Sequence, residues 1–179
     1  MRKCNVFLVL VLACVINIMP LFGQSDSKKN KIIADSHTAK VEFIKTDGLM
    51  KGIFDKAYGY VIFPNVGKGG LWVGGAAGNG AVYQNNAVIG MAKLTQVSIG
   101  FQAGGQAYRE VIFFESKREM DRFKNSQLEF SAQVSAVVAT AGASANAKYT
   151  DGVMVFTMQK GGLMYEASVG GQKFKFSKL

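Results

Sequence analysis

Apolar positions in this chain recur first with the period of a helix. In residues 32–44 one stripe is formed by Ile32, Ser36, Ala39 and Phe43. After a break at residues 46–48 a second stripe follows, made of Leu49, Met50, Ile53, Phe54 and Ala57. Spacings of three and four in the first stripe, and positions i, i+1, i+4, i+5 and i+8 in the second, predict two short helices, each with one face packed on a sheet.

From Tyr58 the period becomes two, which is typical of strands with one buried face. We expect short strands at 58–63, 71–77, 81–84, 87–92, 97–103 and 107–114. The first should end at Pro64, because proline cannot donate to a strand ladder. Asn79-Gly80 predicts a tight hairpin and Asn85-Asn86 a second turn. The series predicts an antiparallel meander that curls or closes.

The rest of the chain predicts one helix and three more strands. Ser116 and Glu119 have the spacing of a capping box, which opens a helix to about Gln127. Residues 130–146 carry no charge and fit either a buried strand or a small-residue helix. Strands are expected at 153–158, 163–169 and 173–176. The predicted class is α+β: N-terminal helices and one later helix with a curved, mostly antiparallel sheet or barrel-like meander.

The N-terminus has the pattern of an export signal. Two basic residues precede an apolar run at 6–18, and a small residue, Gly23, follows. The run is shorter than the roughly 20 residues of a spanning helix. We therefore predict a signal peptide at 1–23 and localisation in the periplasm or cell envelope. Val11-Leu12-Ala13-Cys14 offers the alternative of a lipoprotein acylated at Cys14.

Beyond the signal we expect a flexible polar leader at 24–31 and a single domain at 32–179. Cleavage near Gly23 would remove both cysteines, Cys4 and Cys14, and with them disulfides and thiolate metal sites. The formal charge would fall from +9 by the two basic residues removed, to +7. That excess suits anionic lipid or polymer, and is also common for solubility.

Residues 56–109 contain no acidic side chain, and the only charges between their ends are Lys68 and Lys93. Gly67-Lys68 is followed by glycine, not by the Ser or Thr of a phosphate loop, and the dinucleotide fingerprint is incomplete. No helix carries a basic stripe, which argues against nucleic acid. We expect no cofactor.

Candidates for catalysis are few. The sequence has one histidine, His37, on which any serine–histidine–acid triad would depend. Glu110 and Glu115, five residues apart, would lie on opposite faces of a strand. We therefore predict no metal, no catalytic residue and no enzymatic activity.

Lysines and an aromatic residue are the candidate binding residues. Lys68 stands in a glycine loop near Trp72, Lys93 lies on a predicted strand, and three lysines are expected on one face of the last strand. The predicted lipid-binding set is Lys68, Trp72, Lys93, Lys173, Lys175 and Lys178. A solvated edge that blocks sheet aggregation is the alternative interpretation of the C-terminal lysines.

Four blocks of sequence resemble the SYLF family, also called the yeast-type actin-binding domain family. They begin at Ala57-Tyr58-Gly59-Tyr60-Val61-Ile62-Phe63-Pro64 with Lys68-Gly69-Gly70 after it, continue through Gly78-Asn79-Gly80-Ala81-Val82-Tyr83 and Val97–Gly105, and end with Lys160–Gly171. The chain is similar to short, exported bacterial members.

The resemblance implies an α+β domain that binds phospholipid through basic residues, with actin binding in some eukaryotic members. It implies no catalytic residue. The expected partner is anionic lipid or a membrane surface. The alternative is a structural or protein-interaction module that associates with itself or with an envelope protein.

Overall fold

A computed structural model of the protein describes residues 21–69, 73–99, 106–130, 136–160 and 169–179. The helices are α1 (Leu21–Thr46), α2 (Met50–Lys56), α3 (Lys117–Lys124) and a 3₁₀ turn at Ala143–Asn146. The strands are β1 (Gly59–Gly69), β2 (Val73–Gln84), β3 (Ala87–Ile99), β4 (Gln106–Phe114), β5 (Val137–Val138), β6 (Val153–Gln159) and β7 (Gln172–Lys178).

The first helix begins earlier than predicted. Residues 24–31, expected to be a flexible leader, are helical, because no glycine or proline interrupts the chain there and lysine is a good helix former. The chain divides into two units, residues 1–31 and Ile32–Leu179, and among the described residues of the first Lys29 Nζ lies 3.5 Å from Asp26 Oδ1. The sheet and both cores belong to the second unit. The signal-peptide prediction concerns residues that are mostly outside the described ranges.

The seven strands form one sheet in the order β5-β6-β4-β1-β2-β3-β7. All pairings are antiparallel except that of β5 with β6. The prediction of an α+β fold with a mostly antiparallel sheet, N-terminal helices and one later helix is confirmed; the sheet does not close. The ambiguous stretch 130–146 contributes only β5 and the 3₁₀ turn among its described residues.

The sheet curls strongly around one of its faces. β4 and β7 are four strand spacings apart, about 19 Å in a flat sheet. Yet Gln172 Nε2 on β7 donates to Glu110 Oε2 on β4 at 2.9 Å. That contact fixes the concave side, which we call the inner face; the convex side is the outer face.

Glycines on the inner face permit this curl, and one of them lies where a hairpin turn was predicted. Gly80 lies within β2, where a Cβ atom would stand 2.5 Å from the Ile62 carbonyl oxygen. Asn79-Gly80 is therefore part of a continuous strand, and the hairpin prediction there is wrong. The turn at Asn85-Asn86 is confirmed, and both residues have positive φ, 50° and 61°.

Other strands are also longer than the sequence indicated. β1 continues past Pro64 because a bulge absorbs the proline, with the register shifting between Phe63 and Val66. β3 is one strand of 13 residues rather than two short ones. The predicted strand 163–169 lies almost entirely outside the described residues.

Each face of the sheet has its own hydrophobic core. The inner core is sealed by α3, whose Phe123 ring lies 5.5 Å from that of Phe174. The predicted start of α3 at Ser116 is confirmed, since Ser116 Oγ accepts from the Arg118 amide as an N-cap. Glu119 joins the cap through the Ser116 hydroxyl, which donates to Glu119 Oε2, and not through the Ser116 amide as in a full capping box. On the outer face, Ala39 and Phe43 of α1 and Met50 and Phe54 of α2 are buried against β1 and β4.

Candidate functional site

The bulge at Pro64 divides the outer face into two parts. Before it, the strand register places apolar side chains in two rows, and α1 and α2 cover them. These buried residues are Tyr60, Ile62, Ala81, Tyr83, Val111, Phe113, Met154 and Phe156. We call this the covered part.

After the bulge the same face is open. The next two rows consist of small and polar residues, all exposed, which we call the open patch: Asn65, Gly67, Ala77, Asn79, Lys93, Thr95, Ala107, Lys173 and Lys175. Val97, in the row beyond, is 73% exposed. Arg109 lies at the boundary and pairs with Glu42 of α1 at 2.5 Å.

Strand register concentrates positive charge on one side of the open patch. Lys93 on β3 lies directly opposite Lys175 on β7, and Lys173 lies opposite Thr95 in the next row. Like charges directly opposite each other destabilise a sheet. Within the described ranges, neither Lys93 nor Lys175 is paired with a carboxylate. The arrangement is therefore suited to an external anion.

An open groove of about 420 Å³ runs beside β7 at this point. Its lining combines three ammonium groups, two hydroxyls, one carboxylate and one aromatic ring: Lys93, Lys173, Lys175, Thr95, Ser126, Glu129 and Phe174. Glu129 Oε1 lies 3.2 Å from Lys173 Nζ, so the groove already holds one negative group. Ammonium and hydroxyl donors together can bind phosphate or carboxylate.

The structure brings together only part of the predicted lipid-binding set. Lys93, Lys173 and Lys175 converge on the open patch. Lys178 lies opposite Gly90, which places it on the inner face, and the prediction that it shares a face with the other two lysines of β7 is wrong. The reason is the odd separation of three residues, which reverses the direction of a side chain.

Lys68 also belongs to the inner face. It lies opposite Ala76, which is part of the inner core, because the bulge shifts the alternation of β1. Trp72 is outside the described residues, so the proximity of Lys68 and Trp72 stays a prediction.

Three polar groove residues were missed by reasoning from the sequence. Thr95 has a signal there, since it lies two positions from Lys93 on the same strand. Ser126 and Glu129 have none, because they follow α3 and reach β7 only through the curl of the sheet. The Glu129–Lys173 bridge and the bond from the Phe130 amide to the Gln172 carbonyl (3.3 Å) hold this segment against the edge strand.

The ionisable residues considered for catalysis are not brought together. His37 is exposed on α1, and Glu115 is exposed after the end of β4. Glu110 is fully buried on the inner face, where burial raises its pKa from 4.5 to about 8. Among the described residues no three His, Cys, Asp or Glu side chains form a cluster that could hold a metal. No helix of these residues is long and apolar enough to cross a membrane.

Comparison with known proteins identifies the family of this chain. Residues 95–178, which include β4, β6, β7 and most of the groove, match the Ysc84 family, described as "Las17-binding protein actin regulator". The chain carries a SYLF domain. This confirms the predicted resemblance.

A curated bacterial relative shares this domain. "Beta cell expansion factor A" of Aeromonas veronii is 30% identical over 142 residues, which cover 79% of this chain and 54% of that protein. The chain thus spans about half the length of the curated relative it matches. The SYLF family is a family of binding modules.

Proposed function

We propose that this protein binds anionic phospholipid at the bacterial cell envelope through the open patch, and that it catalyses no reaction. One observation carries the proposal: Lys93 and Lys175 face each other across adjacent strands on an exposed part of the sheet, with Lys173 in the next row. Placing like charges opposite each other costs stability, which an anionic surface would offset.

The shape of the patch supports a broad partner rather than a small one. Gly67, Ala77 and Ala107 project little beyond the strand backbone, so a membrane can approach closely, and exposed Val97 adds an apolar contact. Each lysine near an anionic bilayer contributes about 1 kcal/mol. Three lysines together therefore make a measurable contribution to the free energy of binding an anionic bilayer at moderate salt.

Co-sedimentation with vesicles tests the proposal. We expect binding to vesicles of phosphatidylglycerol and phosphatidylcholine, and little binding to phosphatidylcholine alone. The double variant Lys93→Gln/Lys175→Gln should weaken binding by about thirtyfold, since it removes two such contributions. Equal binding to both kinds of vesicle would refute the proposal.

A matched control separates the patch from net charge. Lys68→Gln/Lys178→Gln removes the same charge from the inner face, and we expect a loss of about threefold or less, because exposed charges more than about 10 Å apart are screened at 0.1 M salt. If both double variants weaken binding equally, attraction follows total charge and the open patch is not the site.

A second candidate function is protein binding at the edge of the sheet. β7 is an edge strand. In the described ranges only its first residues have backbone partners along the free edge, in the segment at Glu129 and Phe130. Bare edges accept an added strand. The description of the matched family, "Las17-binding protein actin regulator", names a protein partner. Sizing the purified protein across concentrations without lipid tests self-association: a monomer throughout excludes that form of the candidate.

A further inference from the structure

Glu129 is the only acidic residue that lines the described groove, and it lies among three lysines. Its carboxylate is 3.2 Å from Lys173 Nζ, and both side chains are more than half exposed, at 58% and 67%. Such an exposed ion pair contributes little to stability. Its effect on an incoming anion is larger, because it lowers the positive potential of the groove and occupies one of its lysines.

Ser126 lies in the same groove in a backbone conformation that serine rarely adopts. Its φ is +57°, in the left-handed region that favours glycine or asparagine. The residue is exposed, and within the described contacts its hydroxyl bonds to no protein group. This conformation belongs to the end of α3, where the Ser126 amide donates to the Phe123 carbonyl (3.0 Å) and the Gln127 amide donates to the Arg122 carbonyl (2.8 Å), as in a Schellman C-cap. The exposed Ser126 hydroxyl is therefore left available to a ligand in the groove.

The donors of the groove come from three separate segments. Lys93 and Thr95 are on β3, Lys173 and Lys175 are on β7, and Ser126 follows α3. This is the composition of a site for one compact anionic group, with hydroxyls that add direction to the charge of the lysines.

We propose that the groove receives one phosphate group of a lipid headgroup, and that Glu129 is a built-in competitor that occupies the site in the free protein. The inference rests on the proposed function and adds to it a discrete position and a means of setting affinity. When the phosphate enters, Glu129 moves into solvent and Lys173 exchanges its carboxylate partner for the phosphate oxygens.

The decisive variant is Glu129→Gln in the full chain, because it should increase binding. We expect the apparent affinity for phosphatidylglycerol vesicles to rise about two- to fivefold, the range of an exposed ion pair. The matched control is Asp121→Asn, which adds the same charge by breaking the exposed Lys117–Asp121 pair of α3. If Asp121→Asn gives the same increase as Glu129→Gln, the effect is one of total charge and the proposal is wrong.

A second variant removes a donor and relaxes the backbone at once. Ser126→Gly should raise the melting temperature by about 2–4 °C, because glycine accepts the left-handed conformation. It should also weaken vesicle binding by about two- to tenfold, the value of one hydrogen bond. Opposite shifts in stability and affinity support the proposal; unchanged affinity with raised stability would show that Ser126 contacts no ligand and overturn its part in the site.

The outcomes separate the two levels of interpretation. If the unaltered protein binds anionic and neutral vesicles alike, the proposed function fails. If it prefers anionic vesicles but Glu129→Gln binds as the unaltered protein does, the proposed function stands and the competitor is refuted. Inorganic phosphate added at millimolar concentration should leave vesicle binding nearly unchanged; full displacement by phosphate would show a site for the free ion, contrary to the proposal.

Discussion

The two parts of the outer face use the same strands for opposite purposes. Before the Pro64 bulge, outward side chains are large and apolar, and two helices bury them. After it, the same strands present glycine, alanine, asparagine, threonine and lysine to solvent. The covered part supplies the hydrophobic packing of this face. The open patch is not needed for that packing, so its residues are available for a function. The comparison teaches that the exposed rows of small and like-charged residues are not needed for the core, which is why we propose them as the binding surface.

The largest expected difference in stability is between replacing a buried ring of the covered part and replacing an exposed residue of the open patch. Phe113, in the covered part, is fully buried, and its ring lies 4.8 Å from that of Phe54. Phe113→Ala should lower the free energy of unfolding by about 3–5 kcal/mol through lost burial and a cavity. Thr95→Ala, in the open patch, should change it by less than about 0.5 kcal/mol. Urea denaturation measures both; similar losses would mean that the open patch is also structural.

Buried and exposed charge give the next contrast. The raised pKa of Glu110 means that the folded protein keeps this proton up to about pH 8, whereas the unfolded chain releases it near pH 4.5. The folded state binds more protons over that window, so stability falls as pH rises from about 4.5 to 8 and levels off above.

The variant Glu110→Gln should abolish this contribution, because an amide keeps a neutral partner for Gln172. The unaltered protein should lose a few kcal/mol relative to the variant between pH 5 and 8, since one pKa unit corresponds to about 1.4 kcal/mol. Urea denaturation at several pH values measures the difference. A difference that does not vary with pH would show that Glu110 is ionised in the fold.

A pair of glycines gives the smallest and sharpest contrast. At Gly80, on the inner face, an added Cβ would meet the Ile62 backbone, so Gly80→Ala should cost about 1–3 kcal/mol. At Gly67, in the open patch, no atom lies within 4 Å of that position, and φ is not in the left-handed region. Gly67→Ala should leave the free energy of unfolding unchanged or raise it by up to about 1 kcal/mol. A large loss at Gly67 would contradict the description of the patch as open.

Much of the fold follows from local patterns in the sequence. The stripe of α1, the Ser116 cap and the Asn85-Asn86 turn depend on neighbouring residues, and each is present. The turn expected at Asn79-Gly80 failed because Gly80 serves a contact with another strand, which a local pattern does not contain. Lys68 was expected in a glycine loop but lies in β1, which continues because a bulge absorbs Pro64 and alters the alternation of side chains after it.

The candidate site was predicted only in part. Lys93 and the alternating Lys173 and Lys175 are visible in the sequence as basic residues on strands. That β3 and β7 are neighbours depends on the order of strands in the sheet. That Ser126 and Glu129 join them depends on the curl of the sheet around the inner core, which long-range contacts such as Glu110 with Gln172 determine.

The most direct test of the open patch as the binding surface is a fluorescence measurement at defined positions. An environment-sensitive dye would be attached at Ala77→Cys, a position of the open patch that does not line the groove, or at Ala145→Cys, an exposed position in the 3₁₀ turn, with Cys4 and Cys14 replaced by serine. We predict a blue shift and higher intensity at position 77 on adding phosphatidylglycerol vesicles, with no change at position 145 and none at either position with phosphatidylcholine. A shift at position 145 without one at position 77 would contradict the account.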